Sequence, residues 1–180
     1  MLQQNNTALL VIDVQNRLAQ VMNEKEALLT NLERLIQGAQ LLGLPILWTE
    51  QVPEKLGPTV PTLNELLSES NEPISKHTFS CCRNETFTAQ LEALNCKNIL
   101  VTGIETHICV YQTCLDLLET NHEIQLVVDA VASRTDANKT LGIQRLSTAG
   151  ATLTSTEMAL FELLGDAKDP QFRAISKLIK

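Results

Sequence analysis

Aromatic side chains are scarce in this 180-residue chain, at 3%. Its core must therefore be built from Leu, Ile, Val and Ala, and the 44% apolar content is enough for one domain of ordinary size spanning residues 1–180. No apolar run approaches the roughly 20 residues of a membrane span, so no membrane partner is expected. Lys and Arg form no block and the net charge is −7, which argues against a nucleic-acid partner, because phosphate-backbone affinity comes from clustered cations. C-x-x-C is absent. The five cysteines are an odd number, and the adjacent Cys81 and Cys82 suit neither zinc spacing nor a relaxed disulfide. His77, His107 and His122 are dispersed, so no metal is expected. Neither G-x-G-x-x-G nor G-x-x-x-x-G-K-[ST] follows a strand pattern, which removes the usual nucleotide loops, and no cofactor is expected. The opening MLQQNNTALLVID has no cationic region, and its apolar run stops at Asp13. The simplest reading is a cytoplasmic chain with reduced cysteines.

What is present is alternation. Thr7–Val14 is a short aliphatic run of the kind that forms a strand buried on both faces. Leu28, Leu32, Leu35, Ile36, Ala39 and Leu42 recur with helical period before Gly43. Leu44–Glu50 reads as a second strand, Val52–Val60 as loop, and Pro61 as the start of a short helix. Pro73–Thr78 is a third strand and Thr86–Asn95 a helix. Asn98–Thr102 is a fourth strand, broken at Gly103 and followed by a helix. Glu123–Asp129, Asn138–Ala149 and Ala151–Ser155 continue as strand, helix and strand, and Thr156–Leu164 and Asp169–Ile179 are closing helices. Such alternation predicts a parallel sheet covered by helices on both faces, with ligands beyond the carboxyl ends of its strands.

Cys109 lies in the most informative stretch, Lys97–Asn121, at the predicted start of the helix carrying Ile108, Tyr111, Leu115 and Leu118. Unpaired N–H groups and the helix dipole favour thiolate there. Lowering a thiol pKa from about 8.5 to about 7 takes roughly 2 kcal/mol, whereas a helix terminus supplies about 0.3–1 kcal/mol. A working Cys109 therefore needs a base, a cation, or both. Two residues at other strand ends supply them: Asp13 after the first strand and Lys76 at the third. Their ordinary roles would be turn or cap residue and solvated edge lysine. Two strand widths are roughly 10 Å, within reach of a lysine stem and a helix-start residue together. His107 is a poorer base, because residues two apart on a helix do not face each other. Cys81, Cys82 and Cys114 are read as structural.

Over essentially its whole length the chain resembles the isochorismatase-like cysteine hydrolases. The matching motifs are VIDVQN at Val11–Asn16, TEQVPEKLGPTVP at Thr49–Pro61, SKHTFSC at Ser75–Cys81 and GIETHICVYQT at Gly103–Thr113. The resemblance implies a Rossmann-like three-layer α/β/α sandwich with a six-stranded parallel sheet, and a catalytic triad of Asp13, Lys76 and Cys109. It also implies a cis peptide before Glu105, with an oxyanion hole of backbone N–H groups at Glu105 and Cys109. Homo-oligomers are common in the family.

Two departures narrow the function. The nicotinamidase branch carries a D-x-H…H metal site after its second strand; here the region reads Trp48-Thr49-Glu50-Gln51, which points away from a metal and from nicotinamide. The enzyme that gives the family its name acts on a vinyl ether and lacks the cysteine, so Cys109 points away from that reaction too. The expectation is hydrolysis of a C–N bond in a small amide-like molecule through an acyl-enzyme. The alternatives are another bond class, or a catalytically idle binding or scaffold protein on the same fold. Gln15, Trp48, Glu50, Phe79 and Ser80, next to the triad in sequence or at strand ends, are the candidate substrate-binding residues. Phe172, Ile175, Leu178 and Ile179 stripe the last helix, which packs on the core or on another subunit.

Overall fold

The computed structural model describes Met1–Lys180. In chain order its elements are β1 (Thr7–Ile12), α1 (Asn16–Ala19), α2 (Lys25–Leu41), β2 (Ile46–Gln51), α3 (Pro53–Leu56), α4 (Pro61–Leu67), β3 (Ile74–Lys76), α5 (Glu85–Leu94), β4 (Asn98–Ile104), α6 (Tyr111–Leu118), β5 (Glu123–Ala132), α7 (Asp136–Ala149), β6 (Thr152–Thr154), α8 (Thr156–Leu164) and α9 (Phe172–Ile179). The six strands form one parallel sheet in the order β3-β2-β1-β4-β5-β6. The winding moves outward from β1 to β3 and then returns to β4. The carboxyl ends of β1 and β4 therefore flank the reversal, where such sheets hold their ligands.

Burial explains the strands. Every residue of β1, β2 and β4 is buried, so their aliphatic runs face helices on both sides. Successive side chains of β1 go to opposite layers. Leu9 and Val11 join Trp48, Leu32, Leu63 and Leu160. Leu10 and Ile12 join Phe87, Val101, Val110 and Leu117 on the other face. Each fully buried aliphatic or aromatic side chain contributes about 1.5–3 kcal/mol. No helix is long and apolar enough to cross a membrane.

Three local features depart from the sequence reading. First, the Val52–Val60 segment contains α3, begun by Pro53 in the first helical turn and ended by Gly57 at φ +79°. Second, β4 does not break at Gly103 but runs through it to Ile104. The glycine serves close approach: a Cβ there would stand 2.5 Å from Ile12 N and 2.8 Å from Ile12 C, and φ is +108°. Third, β5 carries extra residues. Val101 pairs with Leu126 but Gly103 with Val131, so the strand bulges and its end is displaced. The stripe on α9 turns inward on its own chain: Ile175 is fully buried, and Phe172 meets Phe161 edge-on at 6.2 Å.

Candidate active site

Asp13 follows β1 in the left-handed region, at φ 52°. Its N–H donates to the Thr49 carbonyl at 3.1 Å, which turns the carboxylate off the strand axis beside β2. Oδ1 accepts from the Thr49 hydroxyl at 2.7 Å and Oδ2 accepts from Lys76 Nζ at 2.6 Å. Both side chains are 0% exposed, so water does not screen this ion pair. Lys76 Nζ also donates to Gln51 Oε1 at 2.7 Å and to the carbonyls of Thr78 and Phe79, each at 3.2 Å. These four acceptors meet a group with three protons and no acceptor of its own, which fixes Lys76 as an ammonium. Burial alone would pull its pKa down, but the Asp13 carboxylate, through its charge and its hydrogen bond, leads the opposing effects that hold it above the usual lysine value.

Cys109 arrives from the other side. After β4 come a cis Ile104–Glu105 peptide and a single wide π-helical turn, Thr106–Val110, before α6 begins. The Glu105 carbonyl accepts from the N–H groups of Ile108 and Val110, at 3.0 and 3.3 Å. The Glu105 N–H itself donates to no backbone acceptor. Cys109 is 6% exposed, and the Asp13 carboxylate and the Lys76 ammonium both lie near enough to its thiol to shift its pKa, in opposite directions.

The thiol is not the thiolate that a helix start by itself favours. Burial first, and the Asp13 carboxylate second, push its pKa well above the ordinary cysteine value, and Lys76 only partly opposes them. At rest the sulfur is protonated, with a carboxylate beside it.

The remaining sequence candidates separate. Gln15 is fully buried and its amide is occupied by main chain: Nε2 donates to Gln51 O at 3.1 Å and Gly57 O at 2.7 Å, and Oε1 accepts from Gln51 N at 2.7 Å. It clamps β2 to the following loop instead of facing a ligand. Glu50 is likewise committed, accepting from the Thr59 N–H at 2.6 Å and hydroxyl at 2.9 Å. Trp48 lies within the core, 1% exposed, with its indole N–H on Asn71 at 2.7 Å. It belongs to packing, because its register position opposite Val11 lies inside the sheet. Ser80 caps the turn Cys81–Arg83 by accepting from Cys82 N at 3.2 Å. Phe79 differs from these: its carbonyl caps Lys76 while its side chain is 54% exposed.

Several contacts were not anticipated. Thr49 and Gln51 touch Asp13 and Lys76 directly, and their signal was present as polar residues at the end of an aliphatic strand. The Cys81 thiol lies 3.9 Å from the Thr49 hydroxyl, and burial raises its pKa to about 12. The displaced end of β5 brings two more residues to this rim. Ser133 Oγ meets His107 Nδ1 at 3.0 Å, so that ring nitrogen faces Ser133. Arg134 donates to Glu105 Oε2 from its main-chain N at 3.0 Å and its Nε at 3.2 Å. No group of three or more His, Cys, Asp or Glu side chains is arranged to hold a metal ion. A groove of about 480 Å³, lined by Met1, Gln125, Leu153 and Met158 among others, sits away from these groups, between β5, β6 and α8.

Residues 7–158 match the model of the isochorismatase domain. Isochorismatase domain-containing protein 2 of Bos taurus is 36% identical over 176 residues, covering 97% of this chain and 83% of that protein. The structure of the MAR1 ribonuclease of Caenorhabditis elegans superposes with a TM-score of 0.94 at 37% identity, covering 99% of this chain and 91% of that one. YcaC from Pseudomonas aeruginosa, solved with hexane-2,5-diol and covalent acrylamide, superposes with a TM-score of 0.92 at 25% identity, covering 98% and 90%.

Proposed function

The chain belongs to the isochorismatase domain family, and from that membership we propose that it is a cysteine hydrolase cleaving the C–N bond of a small amide-like molecule. The observation that carries this reading is the sealed Asp13–Lys76 pair, 2.6 Å apart, beside the protonated Cys109. A carboxylate fixed between two donors is a base held ready, and the thiol is its proton source.

The steps follow. As the Cys109 sulfur forms its bond to the carbonyl carbon, the S–H proton passes to Asp13. The negative charge gathers on the carbonyl oxygen, where the N–H groups of Glu105 and Cys109 receive it. Collapse expels the amine, which takes the proton back from Asp13 and leaves a thioester. Asp13 then accepts a proton from water as the oxygen attacks the thioester, and it returns that proton to the departing sulfur, which releases the acid and restores both the thiol and the carboxylate. Lys76 stays an ammonium throughout and offsets the migrating charge. Because the thiol is protonated at rest, the nucleophile forms only as substrate arrives.

YcaC of P. aeruginosa carries covalent acrylamide, an alkene electrophile that captures nucleophiles by conjugate addition, so it speaks for a nucleophile in that protein and not for the bond cleaved. A polyanionic substrate fits poorly with a net charge of −7 and a buried cation already committed to four acceptors. Phe79, whose side chain is exposed while its carbonyl caps Lys76, is the candidate substrate contact. Assembly as a homo-oligomer is part of the same reading, with exposed Leu153 and Met158 around one groove as candidate contact surface, and light scattering that returns a monomer removes it.

The test is a screen of small amides, ureas and carbamates against the wild type and Cys109→Ala, with intact-mass detection during turnover. A substrate should give a mass increase confined to Cys109, and the variant should lose turnover by about three orders of magnitude or more. Undiminished turnover in Cys109→Ala overturns the mechanism. A wild type inert toward every amide, with Cys109 unmodified, favours the idle scaffold.

A further inference from the structure

Lys76 has a strong acceptor that the proton transfer leaves untouched. Gln51, the last residue of β2, stands in register with Lys76 on β3, so both side chains leave the sheet on the same face. Its Oε1 accepts from Nζ at 2.7 Å, close to the 2.6 Å of the Asp13 contact. Its Nε2 donates to the His77 carbonyl at 2.7 Å. That second bond fixes the amide's orientation, because a flip would set NH₂ against ammonium and oxygen against carbonyl. The main chain of Gln51 is gripped in turn by the buried Gln15 amide, at 2.7 and 3.1 Å. The Lys76 carbonyl accepts from the next N–H, that of Val52, at 2.9 Å.

We propose that Gln51 is a positioning residue for the hydrolysis, holding the Lys76 ammonium in place during the interval when Asp13 carries the Cys109 proton. The inference rests on the assignment of Asp13, Lys76 and Cys109 made above. In the resting site the Asp13 carboxylate balances the ammonium. Once Asp13 is a neutral acid, the negative charge has moved to sulfur and then to the carbonyl oxygen. A lysine on a four-carbon stem would follow that charge. The Gln51 oxygen, with the Thr78 and Phe79 carbonyls, keeps it in place. A carboxamide does this without adding charge, so it does not compete with Asp13 for the proton. A carboxylate at the same point would place a second anion in a sealed site and raise the pKa of its acidic neighbours. Gln15, which fixes the main chain of Gln51, supports the position from one layer further out.

The test needs no substrate. Alkylation of Cys109 by iodoacetamide, read by peptide mass from about pH 5 to about pH 10, reports how easily the thiol gives up its proton to Asp13. Wild type, Asp13→Asn, Gln51→Leu and Gln51→Glu are compared, with the thermal midpoint of each recorded. Asp13→Asn should slow labelling at neutral pH by about tenfold or more and remove the acidic limb of the profile. Gln51→Leu should slow it by about fivefold to twentyfold, through loss of one charge-assisted acceptor. Gln51→Glu should recover much of that rate at its plateau, with the acidic limb moved up by about one pH unit. If both Gln51 variants keep the wild-type profile while Asp13→Asn does not, the positioning role is overturned and the hydrolase reading stands. If Asp13→Asn also leaves the profile unchanged, the underlying assignment of the base fails. A role confined to stability would lower the midpoints without moving the limb, and that result too counts against the proposal. Should Gln51→Leu not fold, the isosteric Gln51→Glu carries the decision alone.

Discussion

On the β1–β2–β3 side of the crevice, side chains hold the reactive groups: the Asp13 carboxylate rests between Thr49 and Lys76, and the ammonium between Asp13 and Gln51. On the β4–β5 side, the main chain does the holding. Cys109 is placed by a strand that touches Ile12, a cis peptide and a wide turn whose N–H groups converge on the Glu105 carbonyl. One side manages charge and the other manages shape. The two should therefore fail differently, the first in charge balance and pH response, the second by steric collision.

The largest effect should come from Gly103→Ala. Its Cβ would collide with the Ile12 main chain, which a flexible side chain cannot relieve, and the positive φ adds strain. A loss of about 4 kcal/mol or more is expected, read as a collapse of the urea midpoint or of soluble yield. A midpoint within error of wild type would erase the distinction between the two sides. Lys76→Met comes next. It leaves the Asp13 carboxylate buried without its partner, so about 3–5 kcal/mol of stability should be lost at neutral pH, together with turnover.

Gly142→Ala tests the shape side more gently. A Cβ there would meet the Thr106 main chain and methyl at 3.1–3.2 Å, pressing α7 on the turn that carries Cys109. About 1–3 kcal/mol of destabilisation is expected, with a fall in Cys109 labelling rate that Asp13→Asn does not reproduce.

Alkali should act on the charge side. Burial raises the Cys81 pKa to about 12 and that of Cys82 to about 11, from the usual 9.0. Lys76 is held above 10.5. In each case the folded state keeps a proton that the unfolded chain has released, so stability is full below the unfolded pKa and falls as pH rises. Thermal midpoints should begin to drop above about pH 9, and Cys81→Ala with Cys82→Ala should flatten the slope. A steeper slope in the double variant would refute the assignment. The smallest effect belongs to Arg134→Ala. The guanidinium is 57% exposed and the main-chain bond to Glu105 survives its loss, so less than about 1 kcal/mol should be lost in a denaturant titration.

Several of these contacts could be read before any coordinates, and others could not. Asp13, Lys76 and Cys109 stood at strand ends in a βα alternation, and that position alone made them candidates to meet. Thr49 and Gln51 were within reach of the same logic, since polar residues ending a buried strand must find partners. The β5 bulge was not legible. The sequence pattern ends this strand at Asp129, and only the pairing of Gly103 with Val131 shows that it continues to Ala132 with extra residues inserted. Arg134 and Ser133 were therefore missed. Trp48, Gln15, Glu50 and Ser80 were placed at the pocket because they neighbour it in sequence, but neighbours on a strand face opposite layers and buried amides seek main chain first.

The periodicity of the chain determined its sheet, its helices and the rim where chemistry could gather, because those depend on which residues are apolar and how they are spaced. The charge state of the groups on that rim was decided only by the tertiary fold. Whether Cys109 keeps its proton and Lys76 its charge depends on burial and on ions a few ångströms away through space, contributed by segments distant along the chain.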